Sequence, residues 1–149
     1  MYFAAYQGFI WNRTLQVVAG LGAGAFSIPG KAGPYTFYRR LTDAELRTLS
    51  ALEVPTVSRE LLPCPPEVMA AVDTVLSERG LSVSDFNLGG VRAAYFKSFY
   101  RRAIVVPHDL SAGPFLPDDL YPGHEKVRVS FFLPSGSYAT MLLKALCGS

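Results

Sequence analysis

The stretch KVRVSFFLPSGSYATMLLKAL, Lys126–Leu146, decides how the chain is read. Its first half alternates Lys126, Arg128 and Ser130 with Val127, Val129 and Phe131. That two-residue period predicts a strand with one face on a core and the other in water. Pro134 cannot donate to a ladder, so the strand closes there. Ser135-Gly136-Ser137 supplies a turn, and from Tyr138 the spacing becomes helical, with Met141, Leu142 and Ala145 on one side and Leu143 and Leu146 on the other. A strand that enters a helix through a glycine turn sets backbone N–H groups and the first helical side chains at a sheet edge, a frequent place for ligand contacts.

Working outward, Val91–Phe96 and Tyr100–Val106 are β-branched and aromatic. They are predicted as two short strands of one hairpin, joined through Lys97-Ser98-Phe99 and ended by Pro107. SAGPFLPDDLYPGH, residues 111–124, reads as loop on its Pro, Gly and Asp content. Further upstream, Thr42 and Glu45 form a capping box that opens a helix with Leu46, Leu49 and Leu52 inward, stopped by Pro55. Pro65-Pro66 opens a second, with Val68, Met69, Val72, Val75 and Leu76 inward and Gly80 as a left-handed cap. At the start of the chain Tyr2–Val18 repeats Phe3, Tyr6, Ile10, Thr14 and Val17 at helical spacing, broadened by Phe9 and Trp11 and ended by Gly20. GLGAGAFSIPGKAGP, residues 20–34, has neither the spacing of a nucleotide fingerprint nor a P-loop lysine, and is predicted as a flexible loop. Helices and strands are segregated, so the class is α+β.

The 149 residues suit one domain, or one and a small appendage. With 50% hydrophobic and 17% charged residues the chain is too apolar for intrinsic disorder. No apolar run is long enough to span a bilayer and the first residues lack a signal-peptide pattern, so no membrane contact and a cytoplasmic location are expected. Cys64 and Cys147 are far apart, and His108 and His124 lack ligand spacing, so no disulfide framework, metal site or nucleophile–histidine pair is predicted. Asp118-Asp119 is the one carboxylate pair, in a proline-flanked loop where water keeps both ionised.

Charge is segregated along the chain. Residues 1–42 carry four bases and no acid, 43–85 eight acids against three arginines, 86–108 four bases and no acid, and 109–125 four acids and no base. Two basic stretches interleaved with aromatics result, GPYTFYRR with Arg39 and Arg40, and VRAAYFKSFYRR with Arg92, Lys97, Arg101 and Arg102. Cations beside stacking rings are the composition of an RNA-binding surface. The same residues also serve to guard edge strands against pairing.

Three segments in order carry a family resemblance. SFFLPSGSYATMLLKAL, Ser130–Leu146, resembles the terminal signature of the TruD family of tRNA pseudouridine synthases, which runs roughly Ser-Phe-x-Leu-Pro-x-Gly-Ser-Tyr/Phe-Ala-Thr-x-x-Leu-Arg-Glu-Leu. AAYQGFIWNRTL, Ala4–Leu15, is similar to the family's Ala-Tyr-Gln-Ser-x-Leu-Phe-Asn-x-x-Leu helix, and RRAIVVPHDL to its basic strand and Pro-x-Asp-Leu turn. The resemblance implies isomerisation of a tRNA uridine, of the uridine-13 class, without metal or organic cofactor. An aspartate attacks the nucleoside, a basic side chain pairs with it, and an aromatic ring stacks on the flipped base. Tyr138 matches that aromatic position, and Leu133, Pro134 and Gly136 would shape the pocket wall.

The family's Gly-x-Lys-Asp segment, which carries the nucleophile, and its Asn-Tyr-Phe-Gly segment are missing from these residues. Asp43, Asp73, Asp85, Asp109, Asp118 and Asp119 all stand in other contexts, so no catalytic residue is assigned. Lys144-Ala145 replaces the family's Arg-Glu pair. The resemblance therefore implies a partial pseudouridine synthase fold, the C-terminal portion of the enzyme. Residues 1–110 would be a helical insertion-type subdomain with a basic hairpin, and 111–149 the last strand and helix of the catalytic domain. Its expected partners are tRNA and a separate N-terminal half. A non-catalytic RNA-binding module and a protein-interaction domain with an unpaired sheet edge remain open as alternatives.

Overall fold

The computed structural model describes residues 2–19, 24–30, 33–89 and 95–148. In chain order it contains α1 (Tyr2–Ala19), β1 (Ala25–Ile28), β2 (Tyr35–Tyr38), α2 (Asp43–Ala51), β3 (Glu53–Pro55), α3 (Pro66–Ser77), a 3-10 turn at Val83–Phe86, β4 (Tyr100–Arg102), β5 (His108–Ala112), β6 (Leu116–Pro117), β7 (Glu125–Lys126), β8 (Val129–Phe132) and α4 (Ala139–Cys147). All four strand pairings among the described residues, β1–β2, β3–β4, β5–β8 and β6–β7, are antiparallel. The class is α+β. The chain divides into two compact units, residues 1–104 with 144–149, and residues 105–143.

The first unit is organised by α1. The face it buries is Gln7, Ile10, Trp11 and Thr14, whereas Phe3 and Val17, predicted as inward, are exposed. A polar residue thus sits at the centre of the stripe, and hydrogen bonds explain why. Gln7 Nε2 donates to the carbonyls of Val57 at 2.7 Å and Lys97 at 3.0 Å, and Trp11 Nε1 donates to Val54 O at 3.0 Å. Buried carbonyls left without donors would each be costly, so α1 acts as a polar clamp as well as an apolar wall. Beneath it Ile10 packs with Val57, Val72, Val75, Leu76 and Phe86, while Trp11 packs with Val54 and Val68.

α3 forms as expected: Pro66 opens it, and Val68, Val72, Val75 and Leu76 are buried. Met69 is not inward but exposed, and Ala71, on the face of Val68, Val72 and Val75, is buried. Gly80 has φ +64°, the left-handed cap. α2 carries its capping box, with Thr42 Oγ1 accepting from Glu45 N at 3.3 Å and Glu45 Oε2 accepting from Thr42 N at 2.8 Å. Its leucines are only half-buried, and the helix ends at Ala51, ahead of Pro55, because Glu53–Pro55 is claimed by β3.

Three expectations for strands change. Residues 25–28, predicted as flexible loop, are a strand paired with β2 in the register Ala25–Tyr38 to Ile28–Tyr35. Gly24 makes this ribbon close: its φ is +90°, and a Cβ there would meet Arg40 O at 2.8 Å. Second, among the described residues Tyr100–Arg102 makes no hairpin with Tyr95–Phe99. Val91–Ala94 lie outside the described residues, Tyr95–Phe99 is not a strand, and β4 pairs instead with β3. Thr56 explains the competition, because its N–H donates to Phe99 O at 2.9 Å while its hydroxyl accepts from Phe99 N at 3.1 Å. Third, the stretch 111–124, predicted as loop, holds the end of β5 at Ser111–Ala112 and all of β6 at Leu116–Pro117, and the rest of it is not strand.

In the second unit β5 and β6 run along β8 and β7 in nearly continuous register, from His108–Phe132 through Ala112–Val129 to Pro117–Glu125. Gly113 N donates to Arg128 O at 2.9 Å between the two ladders, and Asp118 N to His124 O at 2.9 Å at the tip. Residues 108–132 thus form one long hairpin whose tip is residues 118–124. A bulge lies between His108 and Ser111, with Asp109 at φ +51°, a left-handed conformation that aspartate tolerates better than most side chains. The alternation along β8 holds for Val129 and Phe131, which are half-buried, but Val127 is exposed because it falls between β7 and β8.

Candidate functional site

The expected site residues fall in both compact units. In the second unit β8 ends at Phe132, and Leu133 and Pro134 lead into a turn in which Ser137 N donates to Pro134 O at 3.1 Å. Gly136 has φ +83°, which an L side chain rarely adopts, so glycine is needed for the chain to reverse here. Tyr138 directly precedes α4, its carbonyl accepting from Met141 N at 3.0 Å, and its side chain is 62% exposed. The turn therefore presents a phenol ring, and Leu133, Pro134, Gly136 and Tyr138 fall together in one short segment. A ring so placed can stack on a planar ligand.

In the hairpin tip the carboxylate pair splits by role. Asp118 Oδ1 accepts from the N–H groups of Leu120 at 2.8 Å and Tyr121 at 3.2 Å, which shapes the turn. Asp119 pairs with Lys126, and the hydrogen bond from that ammonium holds its carboxyl below the usual carboxylate range. A group held ionised in this way is a poor general acid. Among the described residues no three His, Cys, Asp or Glu side chains are grouped to hold a metal ion, and no helix is long and apolar enough to cross a membrane.

In the first unit the cations divide between two places. Arg39 and Arg40 follow β2 and are exposed; with Gly24, Ala25 and Phe26 they line an open concavity. The Arg39 guanidinium lies over the Phe26 ring at 4.9 Å, and Phe26 meets Phe37 across the ribbon at 5.7 Å between ring centres. Phe26 is the member of this group not expected from sequence, although the short apolar alternation AFSI after glycines was the available signal.

The second place is β4. Arg101 is half-buried with its guanidinium over the Trp11 indole at 4.3 Å, and Arg102 is exposed, paired in register with Glu53. Lys97 is exposed too, its carbonyl gripped by Gln7 and by the Thr56 hydroxyl at 3.1 Å. Arg92 lies outside the described residues. Tyr38 of β2 and Ala103 and Ile104 after β4 line one small cavity together with Leu15, Val18, Thr36 and Leu49. Lys144 belongs to this unit as well, with its ammonium 5.7 Å from the Tyr35 ring centre.

The tRNA pseudouridine synthase D (TruD) family model matches residues 53–146. The chain is 30% identical over 148 residues to the tRNA pseudouridine synthase D of Leptospira interrogans, covering 98% of this chain and 36% of that protein. It is 27% identical over 150 residues to the probable tRNA pseudouridine synthase D 1 of Methanococcus maripaludis, covering 97% and 37%. Among solved structures, that of the putative tRNA pseudouridine synthase D from Methanosarcina mazei superposes with TM-score 0.57 at 24% identity, over 93% of this chain and 36% of that one. The chain thus spans little more than a third of the length of the relatives it matches.

Proposed function

This chain belongs to the tRNA pseudouridine synthase D (TruD) family, and on that premise we propose that it is the RNA-binding and pocket-wall portion of a tRNA pseudouridine synthase of the uridine-13 class. It turns uridine into pseudouridine only together with the part of the family's length that it does not span. Residues 1–110 are the insertion-type subdomain and residues 111–149 the closing strand and helix of the catalytic domain. The substrate places the reaction in the cytoplasm.

In this reading the flipped uracil rests on the Tyr138 ring, with Leu133, Pro134 and Gly136 as the adjoining wall. Arg39, Arg40, Arg92, Lys97, Arg101 and Arg102 meet the phosphates, with Phe26 holding Arg39 in a fixed direction. The carboxylate that attacks the nucleoside comes from the remaining polypeptide, and no metal or organic cofactor takes part. The observation that carries the reading is the exposed phenol at the entry to α4, fixed behind the glycine turn inside the family match.

The test is isomerisation of unmodified tRNA by this chain reconstituted with the remaining segment of the Leptospira relative. Base stacking on an aromatic ring is worth about 1–3 kcal/mol, so Tyr138→Ala is expected to slow turnover by about 5- to 150-fold, and Tyr138→Phe to keep most of it. A Tyr138→Ala enzyme with unchanged turnover overturns the assignment.

A further inference from the structure

The segment Tyr95–Phe99 is not a strand, yet its side chains alternate out and in. Tyr95, Lys97 and Phe99 are exposed, whereas Phe96 and Ser98 are half-buried. Phe96 lies edge-on to Phe3 and Phe86, at 5.2 and 4.8 Å between ring centres, and packs on the core of the first unit. Ser98 also turns inward, its hydroxyl donating to Thr56 O at 3.2 Å. A half-buried segment ordinarily sends apolar side chains in and polar ones out. Here a serine is inside while two rings stand outside, Tyr95 73% and Phe99 45% exposed.

The backbone under these rings is held from the core side. Lys97 O accepts from Gln7 Nε2 at 3.0 Å and from the Thr56 hydroxyl at 3.1 Å. Thr56 also brackets Phe99, its N–H donating to Phe99 O at 2.9 Å and its hydroxyl accepting from Phe99 N at 3.1 Å. Gln7 and Thr56 are both buried, so the anchors leave the outer side open. A surface ordered in advance loses little further freedom when a ligand arrives. Tyr100, though exposed, is tied through its own hydroxyl to Pro63 O at 2.8 Å and stands apart from the row.

Spacing and charge select the occupant. Alternating side chains two residues apart stand about 6.6 Å from each other, so the two rings are about 13 Å apart with the Lys97 ammonium between them. Among the described residues Lys97 enters no ion pair. Ring, cation, ring is the chemistry that holds single-stranded RNA, base faces on the rings and phosphate on the cation. Paired bases are already stacked on both faces and offer only edges and backbone, so a duplex cannot use such a row.

We propose that Tyr95, Lys97 and Phe99 form a subsite for unpaired RNA, with one base on each ring and a phosphate on Lys97. The inference rests on the reading of this chain as a tRNA-binding portion, and adds to it the kind of RNA held and the two rings that hold it.

The test is binding to this chain of a single-stranded oligouridylate carrying one 2-aminopurine, beside a duplex of the same length. The single strand is expected to bind more tightly at equal salt, with 2-aminopurine fluorescence falling as the base stacks. Tyr95→Ala and Phe99→Ala should each weaken single-strand binding about 5- to 150-fold at unchanged salt slope and unchanged Trp11 emission, and should leave duplex binding as it was. Tyr95→Phe should recover most of the loss, and Lys97→Gln should lower the salt slope by about 0.7. Ring variants that bind the single strand like the wild type would overturn the proposal, as would an equal loss of duplex binding. So would loss of single-strand binding when the remaining segment of the Leptospira relative is added, since protein would then cover the row. Pseudouridine formation by that mixture separates the two readings. Ring-dependent binding without turnover defeats only the assignment of function, and turnover below saturation that both alanine variants leave unchanged defeats only the subsite.

Discussion

Gln7 shows how a single side chain can be needed for a fold without being apolar. Its amide donates to the carbonyls of Val57 and Lys97, and of these Lys97 O has the Thr56 hydroxyl in reserve. Gln7→Leu should therefore cost about 1–3 kcal/mol, the penalty of a buried acceptor left without its donor, read as a lower midpoint in denaturant unfolding at unchanged slope. An unchanged midpoint would mean the clamp is not formed. From sequence the position read as polar and fell outside the predicted stripe, because periodicity counts apolar residues and cannot see which carbonyl a glutamine will meet. Titration acts at the same scale. Glu45 and Asp85 accept backbone and hydroxyl hydrogen bonds from Thr42 and Ser82, which hold both carboxyls below their ordinary values. A lowered folded pKa gives stability that is present above the unfolded pKa and lost as pH falls through the folded one. Melting temperature should be level at neutral pH and fall below about pH 5, and the fall should be shallower in the Glu45→Gln, Asp85→Asn double variant. An equally steep fall in that variant would place the acid sensitivity elsewhere.

Among the elements, those built on local chemistry were legible: α1, the capping box of α2, and the proline start and glycine end of α3 all follow from short-range signals. The strands were less so. β4 takes β3 as its partner across more than forty residues of chain, a choice made by Thr56 and Val54, not by the turn beside it. β1 was hidden among glycines, yet one of those glycines lets the ribbon close. Gly24→Ala should open the β1–β2 ribbon, since φ +90° and the Arg40 carbonyl at 2.8 Å both oppose a methyl group there. If that ribbon meets RNA phosphates as proposed, Gly24→Ala and Arg39→Glu/Arg40→Glu should weaken tRNA binding alike. The charge reversal should also flatten the dependence of log affinity on log salt by about 0.7–0.9 for each phosphate that is no longer neutralised. Equal salt slopes for the wild-type and reversed chains would remove Arg39 and Arg40 from the interface.

At the scale of the molecule, a first unit with a real core and a second without one carry the cations and the phenol respectively. The candidate site was partly legible. Tyr138 and its glycine turn stand in a motif that survives as a short string of residues, and the structure keeps them exposed. Phe26 under Arg39 was not legible, because stacking across a ribbon depends on a register that only the folded chain reveals. Nor does spacing disclose that residues 105–143 lack buried positions, since alternation predicts a face for a core without saying which polypeptide supplies it. The proposed function assigns binding and pocket shaping to this portion and the reacting carboxylate to the length of the relatives that it does not span. The most direct measurement is pseudouridine formation on unmodified tRNA by this chain alone and then with the remaining segment of a relative: none is expected from the chain alone and turnover from the mixture, whereas isomerisation by the chain alone would contradict the account.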